Sequence, residues 1–264
     1  MTSHLLRLVL RLVIATLALS SLGAGAQMSA GDRRLSGFDF MGASTQAMQK
    51  DDSLNPGMLW VKDGEALWQR PTGSSGKACA SCHAAAASSM KGAATKYPVF
   101  DQALNRPITL SQRINQCRQQ RQLAEPLRAE SQELLSLESY VAHQSRGLPM
   151  APSADIRLEP FRQLGQKRFV QPMGQLNLSC AQCHDDNAGK RLGSSLIPQA
   201  HHTGYPVYRL EWQAMGSLQR RLRNCMSGVR AEPFAYGALE LVELELYLAV
   251  RAQGMVVETP GVRP

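Results

Sequence analysis

Apolar residues recur at helical spacing at matching places in the two halves of the chain. Residues 110–117 and 218–225 each carry apolar side chains at positions i, i+4 and i+7, with an arginine at i+3 and a cysteine as the last member. These positions share one face of an α-helix, so the pattern predicts two helices with a mostly apolar stripe. A second pair of segments, 131–146 and 235–253, has the same periodicity, and each ends before a glycine, a normal helix stop.

These matched helices belong to a longer internal repeat. Tyr-Pro-Val-Phe at 97–100 is repeated as Tyr-Pro-Val-Tyr at 205–208, and Leu-Glu-Ser-Tyr at 137–140 as Leu-Glu-Leu-Tyr at 244–247. Self-similarity on this scale indicates a copied structural unit. The sequence therefore predicts a mainly α fold of two tandem domains related by internal duplication.

Three prolines between positions 149 and 160 interrupt any continuous helix and mark the boundary between the repeats. We therefore assign the first domain to residues 51–155 and the second to residues 156–264. Residues 27–50 are rich in Gly, Ser, Met and Gln, have no counterpart in the second half, and form an N-terminal arm. This arm either packs on a partner or is a mobile tail.

Residues 1–26 have the pattern of a secretory signal peptide. Two arginines precede an apolar stretch at 12–22, and Ala-Gly-Ala at 24–26 precedes Gln27. The apolar stretch is shorter than the ~20 residues that cross a bilayer as a helix. We expect cleavage near Ala26/Gln27, export to the periplasm, and a mature chain with no membrane span.

Composition excludes several classes of protein. The chain has 264 residues and 44% apolar content, enough for real hydrophobic cores, which argues against disorder. The net charge of +8 is modest, aromatic residues make up 6%, and no basic run is interleaved with them. Nucleic-acid binding is therefore poorly supported, whereas attraction for a small anion or an acidic partner is compatible with the charge.

Each repeat carries one C-x-x-C-H motif, the attachment signature of c-type haem. The motif residues are Cys79, Cys82 and His83 in the first repeat and Cys180, Cys183 and His184 in the second. Two thiols at this spacing can each form a thioether to one porphyrin, and the following imidazole coordinates the iron. A single zinc site built from both pairs would leave the two histidines without a role. The sequence predicts two covalently bound haem c groups.

The remaining cysteines, Cys117 and Cys225, recur at the same place in each repeat and are candidates for the sixth iron ligand. Ferric iron and a nearby arginine both favour an ionised sulfur. The alternatives are a disulfide between these two cysteines or two inert buried thiols. No methionine recurs at matched positions, so the methionines are expected to fill the cores, whereas an inserted loop could bring His201 or His202 near the second haem.

Basic residues cluster before Cys225 but not before Cys117. Arg220, Arg221 and Arg223 precede Cys225, and Arg221 lies one helical turn before it on the same face. Arg221 is therefore a candidate clamp for an anionic substrate, while the other two arginines are expected to pair with haem propionates or solvent. A thiolate opposite histidine lowers the reduction potential of the iron, which suits sulfur chemistry better than general electron carriage.

Taken together, these motifs resemble those of the dihaem SoxA subunits of periplasmic, sulfur-oxidising SoxAX cytochromes. The resemblance covers nearly the whole mature chain: two C-x-x-C-H motifs, a cysteine after each, and an arginine four residues before the last cysteine. It implies that His83 and Cys117 are the axial ligands of the first haem, and His184 and Cys225 those of the second.

The resemblance also implies an activity, that of an L-cysteine S-thiosulfotransferase. Cys225 would be the catalytic cysteine, found as a persulfide in the family, and Arg221 would bind the substrate. Thiosulfate would be joined oxidatively to a cysteine of a SoxYZ-like carrier protein, and two electrons would leave to a SoxX-like monohaem cytochrome subunit. The alternatives are a thiosulfate dehydrogenase that forms tetrathionate, a pure electron-transfer cytochrome, and a dihaem peroxidase, which needs an open iron position.

Overall fold

The computed structural model describes residues 33–264. The signal peptide predicted at 1–26, its cleavage site and the start of the arm lie outside the described residues. Within the described range, no helix is both long and apolar enough to cross a membrane.

The described chain consists of helices joined by short strands and turns. The α-helices are α1 (Ala43–Lys50), α2 (Gly57–Gln69), α3 (Ala80–His83), α4 (Ala86–Ser89), α5 (Leu110–Cys117), α6 (Gln132–His143), α7 (Glu159–Val170), α8 (Cys180–His184), α9 (Leu218–Gly228) and α10 (Leu239–Arg251). The strands are β1 (Val99–Asp101), β2 (Arg106–Ile108), β3 (Arg191–Leu192), β4 (Ser195–Leu196), β5 (Val207–Arg209), β6 (Ala214–Gly216) and β7 (Gly261–Arg263). Short 3-10 turns at Ala94–Lys96 and Ile156–Leu158 and a π turn at Arg118–Gln122 complete the connections.

Both halves use the same series of elements. A long helix leads to the short motif helix, then to an antiparallel hairpin, a cysteine-bearing helix and a closing helix. This series is α2, α3, β1–β2, α5 and α6 in the first half, and α7, α8, β5–β6, α9 and α10 in the second. The mainly α fold with two tandem repeats is confirmed.

Polar caps determine where the functional helices begin. The Thr109 hydroxyl accepts a hydrogen bond from the Gln112 N–H while the Gln112 side chain accepts one from the Thr109 N–H, and this capping box starts α5. Ser179 and Gln182 form the same box at the start of α8, and the Ser217 hydroxyl caps α9. These bonds satisfy backbone amides that a helix start leaves unpaired, and so they fix the register of the cysteines that follow.

A glycine lies where the first and last helices of each half cross. A Cβ on Gly64 would lie 2.1 Å from the Ser136 carbonyl oxygen, and a Cβ on Gly165 would lie 2.1 Å from the Glu243 carbonyl oxygen. These distances are far below van der Waals contact, so any side chain would push the crossing helices apart. The two glycines therefore allow α2 to pack on α6 and α7 to pack on α10.

Each half has its own core beside this crossing. In the first half Trp68 is buried with Leu110 and Val141, and in the second Phe169 is buried with a larger apolar cluster. The two aromatic residues occupy the same place in the repeat. Several methionines fill these interiors, as the sequence predicts: Met150, Met215 and Met226.

The described part of the arm lies against the second half of its own chain. Gln49 accepts a hydrogen bond from the Val262 N–H at 2.9 Å, and the Ser36 hydroxyl donates to Glu258. Helix α1 packs on β7, which is hydrogen-bonded in parallel to β5 and so completes a three-stranded sheet. The arm and the C-terminal strand thus form one wall of the second half.

Candidate functional site

The side chains of His184 and Cys225 face each other in the second half, one from α8 and one from α9. They are in hydrogen-bond contact. His184 Nδ1 lies 2.7 Å from the Pro198 carbonyl oxygen. Because a carbonyl only accepts, Nδ1 must carry the proton, which leaves Nε2 as the nitrogen with a free lone pair for a metal.

Two of the cysteines on these helices, Cys180 and Cys225, differ in acidity. Burial alone would raise the pKa of Cys225, but its contact with His184 and the charges of Arg221 and Arg209 outweigh it and hold that pKa below its usual range. Burial raises the pKa of Cys180 to about 11. The cysteine opposite the histidine is thus more easily ionised than the motif cysteine.

A cavity of about 530 Å³ opens beside His184 and Cys225. Its apolar wall includes Leu222 and Leu248. Its polar wall is basic: within residues 33–264 no Asp or Glu side chain lines it, and its arginines are Arg191, Arg209, Arg221 and Arg263. Charges of one sign on low-dielectric walls attract counter-ions, so this cavity is suited to a small anion.

Arg221 lies one helical turn before Cys225 on α9 and lines the same cavity. In the described part of the chain it forms no ion pair with a carboxylate, whereas Arg209 pairs with Glu211 at 3.1 Å and Arg263 pairs with Glu258 at 3.0 Å. The charge of Arg221 is therefore available to a ligand in the cavity.

The first motif lies on a more open surface. Cys82 and His83 are exposed, and a charge on Cys82 acts on Cys117 across the site. The Trp68 indole N–H donates to the Ala84 carbonyl at 3.0 Å, and its ring centroid lies 5.7 Å from that of His83. Trp68 thus fixes the segment that carries the histidine.

The electrostatics of this first site are the reverse of those of the second. Burial raises the pKa of Cys117 and outweighs the lowering effect of Arg113 and Arg121. Arg113, which occupies the place of Arg221 in the repeat, is bound by Asp101 at 3.1 Å. The first site therefore has no uncompensated arginine to match Arg221.

Each half brings together four residues that suit a covalently attached haem. All six cysteines lie in the described range and none forms a disulfide. In each half two thiols lie three residues apart, an imidazole follows, and a further cysteine comes close from the next long helix. This donor set fits the two thioethers and two axial bonds that a c-type haem requires.

The structure adds residues that the sequence analysis did not identify. The cavity beside His184 and Cys225 is also lined by Tyr205, Arg209 and Arg263. Arg209 could have been found by extending the repeated Tyr-Pro-Val segment by one residue, because Arg209 then stands where the first half has Asp101. Arg263 belongs to a C-terminal strand that has no counterpart in the first half. His202 also lines the cavity, and burial lowers its pKa to about 4, so its ring is neutral at pH 7.

Comparison with known proteins agrees with this repeat. The family model for the SoxA/TsdA cytochrome c domain matches residues 63–150 and 164–257. The "L-cysteine S-thiosulfotransferase subunit SoxA" of Pseudaminobacter salicylatoxidans is 40% identical, over 88% of this chain and 82% of the relative. The subunit of the same name from Rhodovulum sulfidophilum is 35% identical, over 88% of this chain and 81% of the relative.

A solved structure is similar over most of the fold. The SoxXA crystal structure from P. pantotrophus contains a chain that superposes with a TM-score of 0.84 at 33% identity, covering 88% of this chain and 87% of that one. A cytochrome c domain implies covalently bound haem. The chain therefore belongs to the SoxA/TsdA cytochrome c family, and the curated relatives that it matches are SoxA subunits.

Proposed function

We propose that the protein is a dihaem SoxA-type subunit that conjugates thiosulfate oxidatively to a cysteine of a SoxYZ-like carrier, and hence is an L-cysteine S-thiosulfotransferase. The observation that carries this proposal is that Cys225 and Arg221 share a cavity lined by arginines and, in the described range, by no acidic side chain. The chain acts in the periplasm after loss of residues 1–26, as a heterodimer with a SoxX-like monohaem cytochrome.

Two haem c groups would be held, one in each proposed domain, 51–155 and 156–264. The first would be attached to Cys79 and Cys82, with His83 and Cys117 holding its iron, and the second to Cys180 and Cys183, with His184 and Cys225 holding its iron. When bound, each haem supplies a site that takes up and passes on one electron at a time.

The residues of the second half bind and orient the substrate. Arg221 offers a planar set of N–H donors that matches the oxygens of the sulfonate end of thiosulfate. Its neighbouring arginines raise the local concentration of a dianion. Cys225, one turn further along α9, is the catalytic cysteine beside which the terminal sulfur is held. The Pro198 carbonyl keeps the proton on His184 Nδ1 and so orients that ring.

The reaction balances with the cytochrome partner as electron acceptor. An S–S bond forms between the terminal sulfur of thiosulfate and the sulfur of the carrier cysteine. The S–H bond of the carrier thiol breaks and releases one proton, and two electrons pass to the cytochrome partner. The product is the S-thiosulfonate of the carrier cysteine.

Replacing the proposed catalytic cysteine tests this function. In the haem-loaded complex with its partner subunit, Cys225→Ala should abolish conjugation of thiosulfate to the carrier. The matched variant Cys117→Ala should keep the affinity for thiosulfate, because it leaves the second cavity unchanged. A normal conjugation rate in Cys225→Ala would show that the assignment is wrong.

The alternative functions give different results in the same assay. Tetrathionate formed from thiosulfate without the carrier would identify a thiosulfate dehydrogenase. Electron transfer with no sulfur product, with or without the carrier, would identify an electron-transfer cytochrome. Arg221→Ala should raise the KM for thiosulfate, and an unchanged KM would remove Arg221 from the site.

A further inference from the structure

The two halves differ by a charge reversal at one position of the repeat. Strand β1 ends in Asp101 and strand β5 ends in Arg209, and each pairs with its neighbour over the same three-residue antiparallel register. The helix that follows each hairpin carries Arg113 in the first half and Arg221 in the second. Asp101 and Arg209 are therefore equivalent positions, and each faces an equivalent arginine.

In the first half this position neutralises the helix arginine. Asp101 is only 7% exposed and binds Arg113 at 3.1 Å. Gln116 completes the arrangement, because its amide donates to Asp101 at 3.2 Å and its oxygen accepts from Arg113 at 2.7 Å. The guanidinium, the carboxylate and the amide satisfy one another, so the charge of Arg113 is neutralised within the protein.

In the second half the same position adds a second cation. The Arg209 side chain is 13% exposed, and its Nε is buried with no hydrogen-bond partner within residues 33–264. Its one carboxylate partner, Glu211, is itself 61% exposed, and such solvent-exposed pairs contribute little. Burial lowers the pKa of Arg209, and the nearby charge of Arg221 lowers it further. Arg209 and Arg221 are half-buried like charges in one cavity, so they repel each other and a bound anion relieves that repulsion.

We propose that Arg209 is the second cation of the substrate site and, with Arg221, binds the oxyanion end of thiosulfate. The inference rests on the proposed function and deepens it. Two guanidinium charges match the two negative charges of the substrate, and both arginines line the same cavity. The first half thus has Asp101 where the second half has Arg209. This difference makes the second site bind anions, whereas in the first site the charge of Arg113 is neutralised.

The rival explanation is a structural role for Arg209. Its guanidinium carbon lies 5.1 Å from the centroid of the Trp212 ring, so the side chain could simply support this turn. The chain offers a matched control, because Arg220 lies 4.0 Å from the same ring but does not line the cavity. A variant of Arg220 removes the same charge and the same ring contact without touching the proposed anion site.

The experiment measures equilibrium binding of thiosulfate to the oxidised holoprotein without carrier, by calorimetry, together with KM and kcat in the complete assay. Arg209→Gln should weaken thiosulfate binding by about 10- to 100-fold, the usual effect of losing one charged hydrogen-bond partner. Arg209→Lys should recover most of the affinity because it restores the charge. Arg220→Gln should change the affinity by less than about 2-fold, as for a screened surface charge.

The outcomes separate the inference from the proposed function. Unchanged thiosulfate affinity in Arg209→Gln, or equal losses in Arg209→Gln and Arg209→Lys, would overturn the role of Arg209 while leaving the function in place. A lower kcat with unchanged KM and unchanged affinity would also overturn it. If the wild-type holoprotein neither binds nor conjugates thiosulfate, the proposed function itself fails.

Discussion

A separate cavity, of about 240 Å³, brings glutamates of the two repeats together. The pKa values of these glutamates can be tested by mutation. Glu138 on α6 and Glu245 on α10 occupy the same place in the repeat, and both line this cavity with Glu130. In the described part of the chain no Lys or Arg lines it. Burial raises the pKa of Glu138 to about 8, and the charge of Glu245 contributes. Burial likewise raises the pKa of Glu245 to about 7, against the lowering effect of a hydrogen bond from Gln219.

These raised pKa values make the folded state less favourable as the pH increases. Below about pH 4.5 both glutamates are protonated in the folded and the unfolded protein. Between pH 4.5 and pH 7 to 8 the unfolded chain releases these protons while the folded chain keeps them, so the free energy of unfolding falls. For Glu138, the loss of unfolding free energy between its ordinary pKa of 4.5 and pH 7 is about 3 kcal/mol. This is an upper figure, because water in the cavity reduces the loss.

Glu138→Gln removes this cost and should therefore stabilise the protein only at higher pH. The assay is guanidinium unfolding of the holoprotein at several pH values, followed by far-UV circular dichroism. The gain in unfolding free energy over wild type should be near zero at pH 4 and rise toward about 3 kcal/mol at pH 7. Glu133→Gln, an exposed glutamate of the same helix, controls for the loss of one charge. A gain that is the same at pH 4 and pH 7 would refute the reasoning.

Two further substitutions test the packing that positions the second site. Gly165→Ala should lower the unfolding free energy by at least about 2 kcal/mol in thermal melts, because its Cβ would strike the Glu243 carbonyl, whereas Gly228→Ala, with open space around it, should stay within about 0.5 kcal/mol. Gln49→Ala removes a buried acceptor of the Val262 N–H and should speed limited proteolysis of the arm, while Gln46→Ala, bonded only within the arm, should not. Equal melts for both glycine variants, or equal cleavage of both glutamine variants, would contradict these contacts.

The elements that the sequence predicts well are those with local signals. The stripe ending at Cys225 has the i, i+3, i+4, i+7 spacing of a helix, and α9 forms there with Ser217 as its cap. Strand β5 was not predicted, because three residues are too few to show alternation. The sequence predicts that Pro160 interrupts a helix, yet it lies in the first turn of α7, where proline's missing N–H has no bond to lose.

The parts that the sequence does not predict depend on distant pairs. The contact of Gln49 with Val262 joins positions at opposite ends of the chain, and no local pattern encodes it. The cavity beside His184 and Cys225 likewise gains Arg263 from the C-terminal strand. Arg209 is an intermediate case, since the repeat marks its position but only the structure shows that it lines the same cavity as Arg221. The motif residues of the site and Arg221 could thus be predicted, whereas the charges that Arg209 and Arg263 add to the cavity needed the structure.

We propose that a cysteine sulfur binds the iron in each half, and low-temperature EPR of the oxidised holoprotein is the sharpest test of this ligation. The account predicts two low-spin haem signals typical of histidine–thiolate ligation, one lost in Cys117→Met and the other in Cys225→Met. Wild-type signals typical of histidine–methionine or bis-histidine ligation, or signals that neither substitution changes, would contradict it.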